Sequence, residues 1–142
     1  MTDSNGALHS QVRDWAEGSN PLAAAVELLI RSGLVYEGAP WIRTDNAWKT
    51  SAVDFDRLGY EIVALSGGEQ RIARIATSLG HGTPVALRED ISGLDYTHTR
   101  LVLAAVAHAA GFTEPGMTVT DVDGVPTLTH YDALATWPVD EH

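Results

Sequence analysis

Cysteine is missing from this chain altogether, so disulfides, thiolate metal sites and a cysteine nucleophile are all ruled out. Lysine is nearly missing too, Lys49 standing alone against eight arginines. No run of five or six like charges occurs, so the chain carries neither an acidic tail nor a basic arm. The longest apolar stretch, Leu101 to Ala110, is broken by His108. It falls far short of the roughly 17–25 residues that span a bilayer. The opening residues, Met1-Thr2-Asp3-Ser4-Asn5-Gly6, are polar and lack the basic-then-apolar order of a signal peptide. The expectation is a soluble, cytoplasmic protein.

What remains is ordinary for a folded domain. The 142 residues are 44% hydrophobic and 20% charged, enough to bury a core without staples. We expect one domain over residues 1–142, with residues 1–12 and 138–142 frayed. A formal charge of −10 argues against docking on a phosphate backbone, which wants clustered lysine and arginine.

Helical periodicity dominates the pattern. A short helix is expected across Val12 to Glu17. Asn20-Pro21 then opens a helix whose stripe, Leu22, Val26, Leu29 and Ile30, faces a core until Gly33 stops it. Leu34 to Ala52 reads as a loop with a short extended piece near Trp41-Ile42, and Asp54 caps a short helix through Leu58. A further helix spans Gly67 to Leu79, with Gly80 as its stop. Thr83 to Leu87 reads as extended. Asp95 or Ser92 introduces a helix to Ala110, closed by Gly111, which is apolar almost all round and so is expected at the centre of the core. Met117–Thr120 and Thr127–Tyr131 flank Asp123-Gly124, the pair that favours a hairpin turn. The fold class is helix-dominated α+β, with about four helices and a small C-terminal β-hairpin.

The most informative stretch is Leu65-Ser66-Gly67-Gly68-Glu69-Gln70. Physically, Ser-x-x-Glu ahead of an apolar-periodic run is a capping box, with Ser66 and Glu69 exchanging hydrogen bonds with each other's backbone. The same letters resemble the signature sequence of ABC-type ATPases. Ile91-Ser92-Gly93-Leu94-Asp95 resembles that family's D-loop, and Leu128-Thr129-His130-Tyr131-Asp132 its switch-histidine segment. The resemblance implies a nucleotide facing Ser66, Gly67, Gly68 and Glu69, with Glu89 or Asp90 at the metal and His130 at the γ-phosphate. No G-x-x-x-x-G-K-[ST] occurs anywhere, however, so no phosphate cradle is present. A chain of this kind would need a partner to supply one. The capping box explains the same residues with fewer assumptions.

Other motifs are thinner. Asp121-Val122-Asp123-Gly124 resembles the nucleophile motif of haloacid-dehalogenase-type phosphatases, but none of the 18 residues after Gly124 is the lysine that chemistry needs. Asp54 and Asp56 make too weak a carboxylate pair for a cation and suit a helix cap. No two histidines stand at metal-binding spacing. His108, inside the most apolar helix, reads as a hydrogen-bonded core histidine, with Asp132 or Tyr131 as possible neighbours. Tyr36, Trp41 and Trp48 suit either a partner surface or a lid on the core. Arg71 and Arg74 lie on the polar face of the Gly67 helix, open to solvent or a partner.

The segments Pro21-Leu22-Ala23-Ala24-Ala25-Val26-Glu27-Leu28-Leu29, Gly93-Leu94-Asp95 and Leu101 to Ala109, together with the arginine and alanine bias, are similar to small uncharacterised proteins of high-GC actinobacteria and their phages. That resemblance brings no activity. The functional expectation is a small acidic non-enzymatic protein that acts through a protein partner or homo-oligomer, without cofactor or metal. Two alternatives stand beside it: the nucleotide-binding partner described above, and a small-molecule enzyme using His108 or His130 with a nearby acid.

Overall fold

The computed structural model describes residues 4–139. In chain order it contains α1 (Ser4–Ala16), α2 (Asn20–Arg31), β1 (Ile42–Asp45), β2 (Thr50–Val53), α3 (Phe55–Glu61), a 3-10 turn (Ile62–Ala64), α4 (Gly67–His81), α5 (Leu87–Ser92), α6 (Tyr96–Ala110), β3 (Gly116–Val122) and β4 (Val125–Tyr131). The fold is helix-dominated α+β, as the patterning implies, with more helices than the four expected. None is long and apolar enough to cross a membrane, among the described residues.

The central helix is α2. Ser19, one residue before the expected Asn20, caps it by accepting from the Leu22 N–H, and Pro21 sits in its first turn. Ala24, Ala25, Leu28 and Leu29 are fully buried, and α2 packs chiefly on α4 and α6. At Gly80 α4 comes so close that a Cβ there would lie 2.5 Å from Phe55 Cζ and 3.0 Å from Ala25 Cβ. Gly80 is therefore an internal packing residue rather than the stop. The helix runs on to His81, and Gly82 closes it at φ 79°.

Residues 4–12, expected to fray, belong to α1, where Leu8, Val12 and Ala16 bury at four-residue spacing. Packing against α2 and β2 holds this helix in place. Of the other expected frayed residues, Pro138 is hydrogen-bonded to Arg31, while residues 1–3 and 140–142 lie outside the described residues. Glu27 takes two bonds from Arg13 on α1 and one from Arg31, all at 2.9 Å. Burial alone would raise the Glu27 pKa, but these guanidinium bonds outweigh it and hold the carboxyl below its ordinary value.

The stretch from Leu34 to Ala52 holds an antiparallel hairpin as well as a loop, β1 pairing with β2 from Ile42↔Val53 to Asp45↔Thr50. Its turn has no glycine. Asp45 Oδ1 accepts from the N–H groups of Ala47 and Trp48, and Lys49 takes the positive φ of 53°. At the other end of the chain, β3 and β4 pair from Gly116↔Tyr131 to Val122↔Val125. Asp123 and Gly124 both have positive φ, the type I′ geometry that Asp-Gly favours. The segment after β4 returns along the helices as a strap: Leu134 N–H donates to Phe112 C=O, Trp137 Nε1 to His108 Nδ1, and Arg31 Nη1 to Pro138 C=O.

Candidate functional site

Ser66 and Glu69 form the expected capping box: Ser66 Oγ accepts from the Glu69 N–H at 3.3 Å and Glu69 Oε1 from the Ser66 N–H at 3.0 Å. The glycines beside it face other side chains of the same chain. A side chain on Gly68 would meet the His98 ring at 3.5 Å, and one on Gly67 would meet Arg71 Nη1 at 3.3 Å. The Arg71 guanidinium continues across Gly93, where a Cβ would displace it. Arg71 thus lies between the start of α4 and the α5–α6 turn.

Arg74, by contrast, is paired. Its Nε donates to Oδ1 of the buried Asp90 at 3.0 Å, and its Nη2 stands 2.9 Å from the same oxygen as an ion pair. Arg71, Arg74, Glu89, Asp90 and the Pro84–Ala86 segment border a cleft of about 430 Å³. Its one buried acid is already paired, and a buried Asp without that partner would carry an uncompensated charge. Asp90 lies on α5, which begins at Leu87, the last residue of the segment that reads as extended. His130 lies on the exposed β4, and no hydrogen bond or ion pair links it to Asp90 or Ser66 among the described residues.

The aromatic trio divides. Trp41 is 2% exposed, its Nε1–H donating to Leu34 C=O at 2.7 Å, so it belongs to the core and offers no anchor to a partner. Tyr36 stands edge-on to it at 5.8 Å and is partly exposed. Trp48 is open to solvent at the β1–β2 turn. Asp54 caps α3 through the Arg57 N–H and holds Arg43 as well, and these bonds lower its pKa. Asp95 caps α6 through the His98 N–H, which lowers its pKa too. His98 Nδ1 sits 3.0 Å from Asp95 Oδ1, within ion-pair range but out of line for a hydrogen bond. His108 finds Trp137, at 3.1 Å, in place of Asp132 or Tyr131. Tyr131 instead packs edge-on against Phe112.

The largest departure concerns α6. Its all-round apolar surface suggested the centre of the core, yet Leu103 and Val106 are 58% and 54% exposed. They line an apolar groove of about 540 Å³ between α4, α5 and α6, with Leu87, Ile91, Val85 and Leu134. The β3–β4 hairpin lines no part of it, and its Met117, Val119 and Leu128 are exposed although their pattern is that of a buried face. Sequence reasoning missed this surface. Its signal was present in α6, which has more apolar faces than one small core can cover. Comparison with protein-family models, with curated proteins and with solved structures finds no match.

Proposed function

We propose that this protein is a non-enzymatic interaction module, an adaptor or modulator, that works by contact with another protein chain through the groove between α4, α5 and α6 and the adjoining hairpin. One observation carries the reading: Leu87, Ile91, Leu103, Val106 and Leu134 form a contiguous apolar surface left open in the single chain. Soluble monomers rarely leave large contiguous apolar patches bare, and such patches mark contact sites. The polar cleft beside Arg74 has its buried acid paired internally, which leaves the groove as the surface with unmet demand.

The test compares tagged wild-type protein with Val106→Glu, recovered from source cells. Because Val106 is exposed, the variant should keep the wild-type far-UV circular dichroism and a cooperative urea transition. A chain that associates stoichiometrically with the wild type, or with copies of it, should be lost from the variant. Equal recovery with both proteins, or a wild type that associates with nothing, overturns the reading.

A further inference from the structure

We propose that the occupant of the groove is the β3–β4 hairpin of a second copy, so that two chains exchange hairpins across a two-fold axis. This inference rests on the interaction reading above and names its partner.

A hairpin alone is marginal in water and needs a surface to lie on. Cross-strand partners share a face, so the register sorts this one cleanly. Met117 with His130, Val119 with Leu128 and Asp121 with Pro126 make one face, which is largely apolar. Gly116 with Tyr131, Thr118 with Thr129, Thr120 with Thr127 and Val122 with Val125 make the other, which is threonine along its middle and valine only at the tip. This is the pattern of a strand pair laid on a core, yet both faces are bare in the single chain.

The hairpin does not lie on its own groove, which none of its residues lines, and its base is held at the end of α6. Tyr131 packs edge-on against Phe112 at 5.3 Å, its ring covers Gly116 so closely that no Cβ would fit, and Leu134 N–H holds Phe112 C=O. From that base, seven-residue strands carry the tip on the order of 20 Å outward. A second chain is the surface within reach.

Size agrees. The α6 floor from Leu103 to Ala110 is about 10 Å long, and the stripe from Met117 to Asp121 about 13 Å. Five groove side chains (Leu87, Ile91, Leu103, Val106, Leu134) and three on the hairpin (Met117, Val119, Leu128) average somewhat over half exposed. At about 100 Å² of apolar surface for a fully exposed side chain of this kind, the exposed parts brought together by a reciprocal exchange come to about 900 Å². Since apolar atoms make up about three-fifths of an interface, the whole contact is on the order of 1,500 Å², within the range of stable complexes. Charge fits as well: Arg88, beside Leu87, makes no ion pair among the described residues, and the hairpin tip carries Asp121 and Asp123.

The experiment is sedimentation equilibrium of the full chain from 10 to 200 µM, expected to give twice the 15.2 kDa protomer mass. A groove variant, Leu103→Glu with Val106→Glu, and a hairpin variant, Val119→Lys with Leu128→Lys, should each be monomeric. Mixed, they should restore a dimer, because one intact hairpin still meets one intact groove. As a check independent of these, Leu103→Cys with Leu128→Cys introduces two thiols into a chain that has none. Oxidation should then yield a disulfide-linked dimer. A monomeric wild type, a dimer that survives the hairpin variant, mixing that restores nothing, or an intrachain disulfide each overturns the exchange. If the wild type is monomeric but a different chain is lost with Val106→Glu, the interaction reading survives and the second copy falls.

Discussion

Replacing Ser66 with alanine separates a helix cap from a phosphate-facing serine. The substitution removes the acceptor of the Glu69 N–H and leaves that donor at an exposed helix end, where water replaces part of the bond. Loss of an N-cap hydroxyl typically costs about 1 kcal/mol. Here the N···O distance of 3.3 Å is beyond the usual hydrogen-bond range, so about 0.5–1 kcal/mol is expected, a fall in Tm of about 2–4 °C. Ser66→Asp should recover most of it, since aspartate caps as well as serine and its charge suits the helix N-terminus. Urea unfolding followed by far-UV circular dichroism measures both variants. Glu69→Ala in the Ser66→Ala background should cost less than it does alone, because the two bonds form one unit. A change below about 0.3 kcal/mol for Ser66→Ala, or no recovery with aspartate, refutes the capping account.

Gly80→Ala sets a helix-propensity gain of about 1 kcal/mol against an overpacking cost of about 1–3 kcal/mol. With Phe55 and Ala25 both buried around it, the net should be destabilising, and a rise in the urea midpoint would show that α2 and α4 pack less tightly. Glu27, with its pKa lowered in the folded state, lends stability that is complete above the ordinary carboxylate value of about 4.3 and is lost as pH falls through the lowered folded value. The difference in urea midpoint between wild type and Glu27→Gln should therefore shrink below about pH 4, and a pH-independent difference would refute the assignment.

The parts of the fold that were legible in the sequence are those with local chemistry. Asp54, Ser66 and Asp95 cap helices because a short side-chain oxygen reaches an N–H three residues on, and Gly111 and Asp123-Gly124 mark positions needing positive φ. The misses are tertiary. The β1–β2 turn hides behind Lys49 because Asp45 supplies the hydrogen bonds that a glycine turn would otherwise signal. Helix α5 follows Pro84 and starts at Leu87, with Ala86 at its N-cap and no capping side chain, so nothing local announces it. Trp41 and Trp48 are alike in sequence setting, and tertiary packing separates them: one indole is buried and donates to the Leu34 carbonyl, the other stands at an exposed turn. The groove was illegible for a similar reason: periodicity tells how many faces of α6 are apolar, and only the packing of α2 tells which face is left over.

The strap that ties Arg31 to Pro138 has a kinetic consequence. Its partners are 107 positions apart, against 14 for Arg13 and Glu27, and closing the longer loop costs about 1.8 kcal/mol more in chain entropy. The strap is expected to engage after the helical body and to open before it, since an exposed bond at its end holds it to a body packed through α2, α4 and α6. Each opening frees the Trp137 indole from His108 and bares Ile30 and Leu101 along the seam of α2 and α6. Amide exchange and protease entry should begin there, at a rate set by this latch, while the core beneath is still folded.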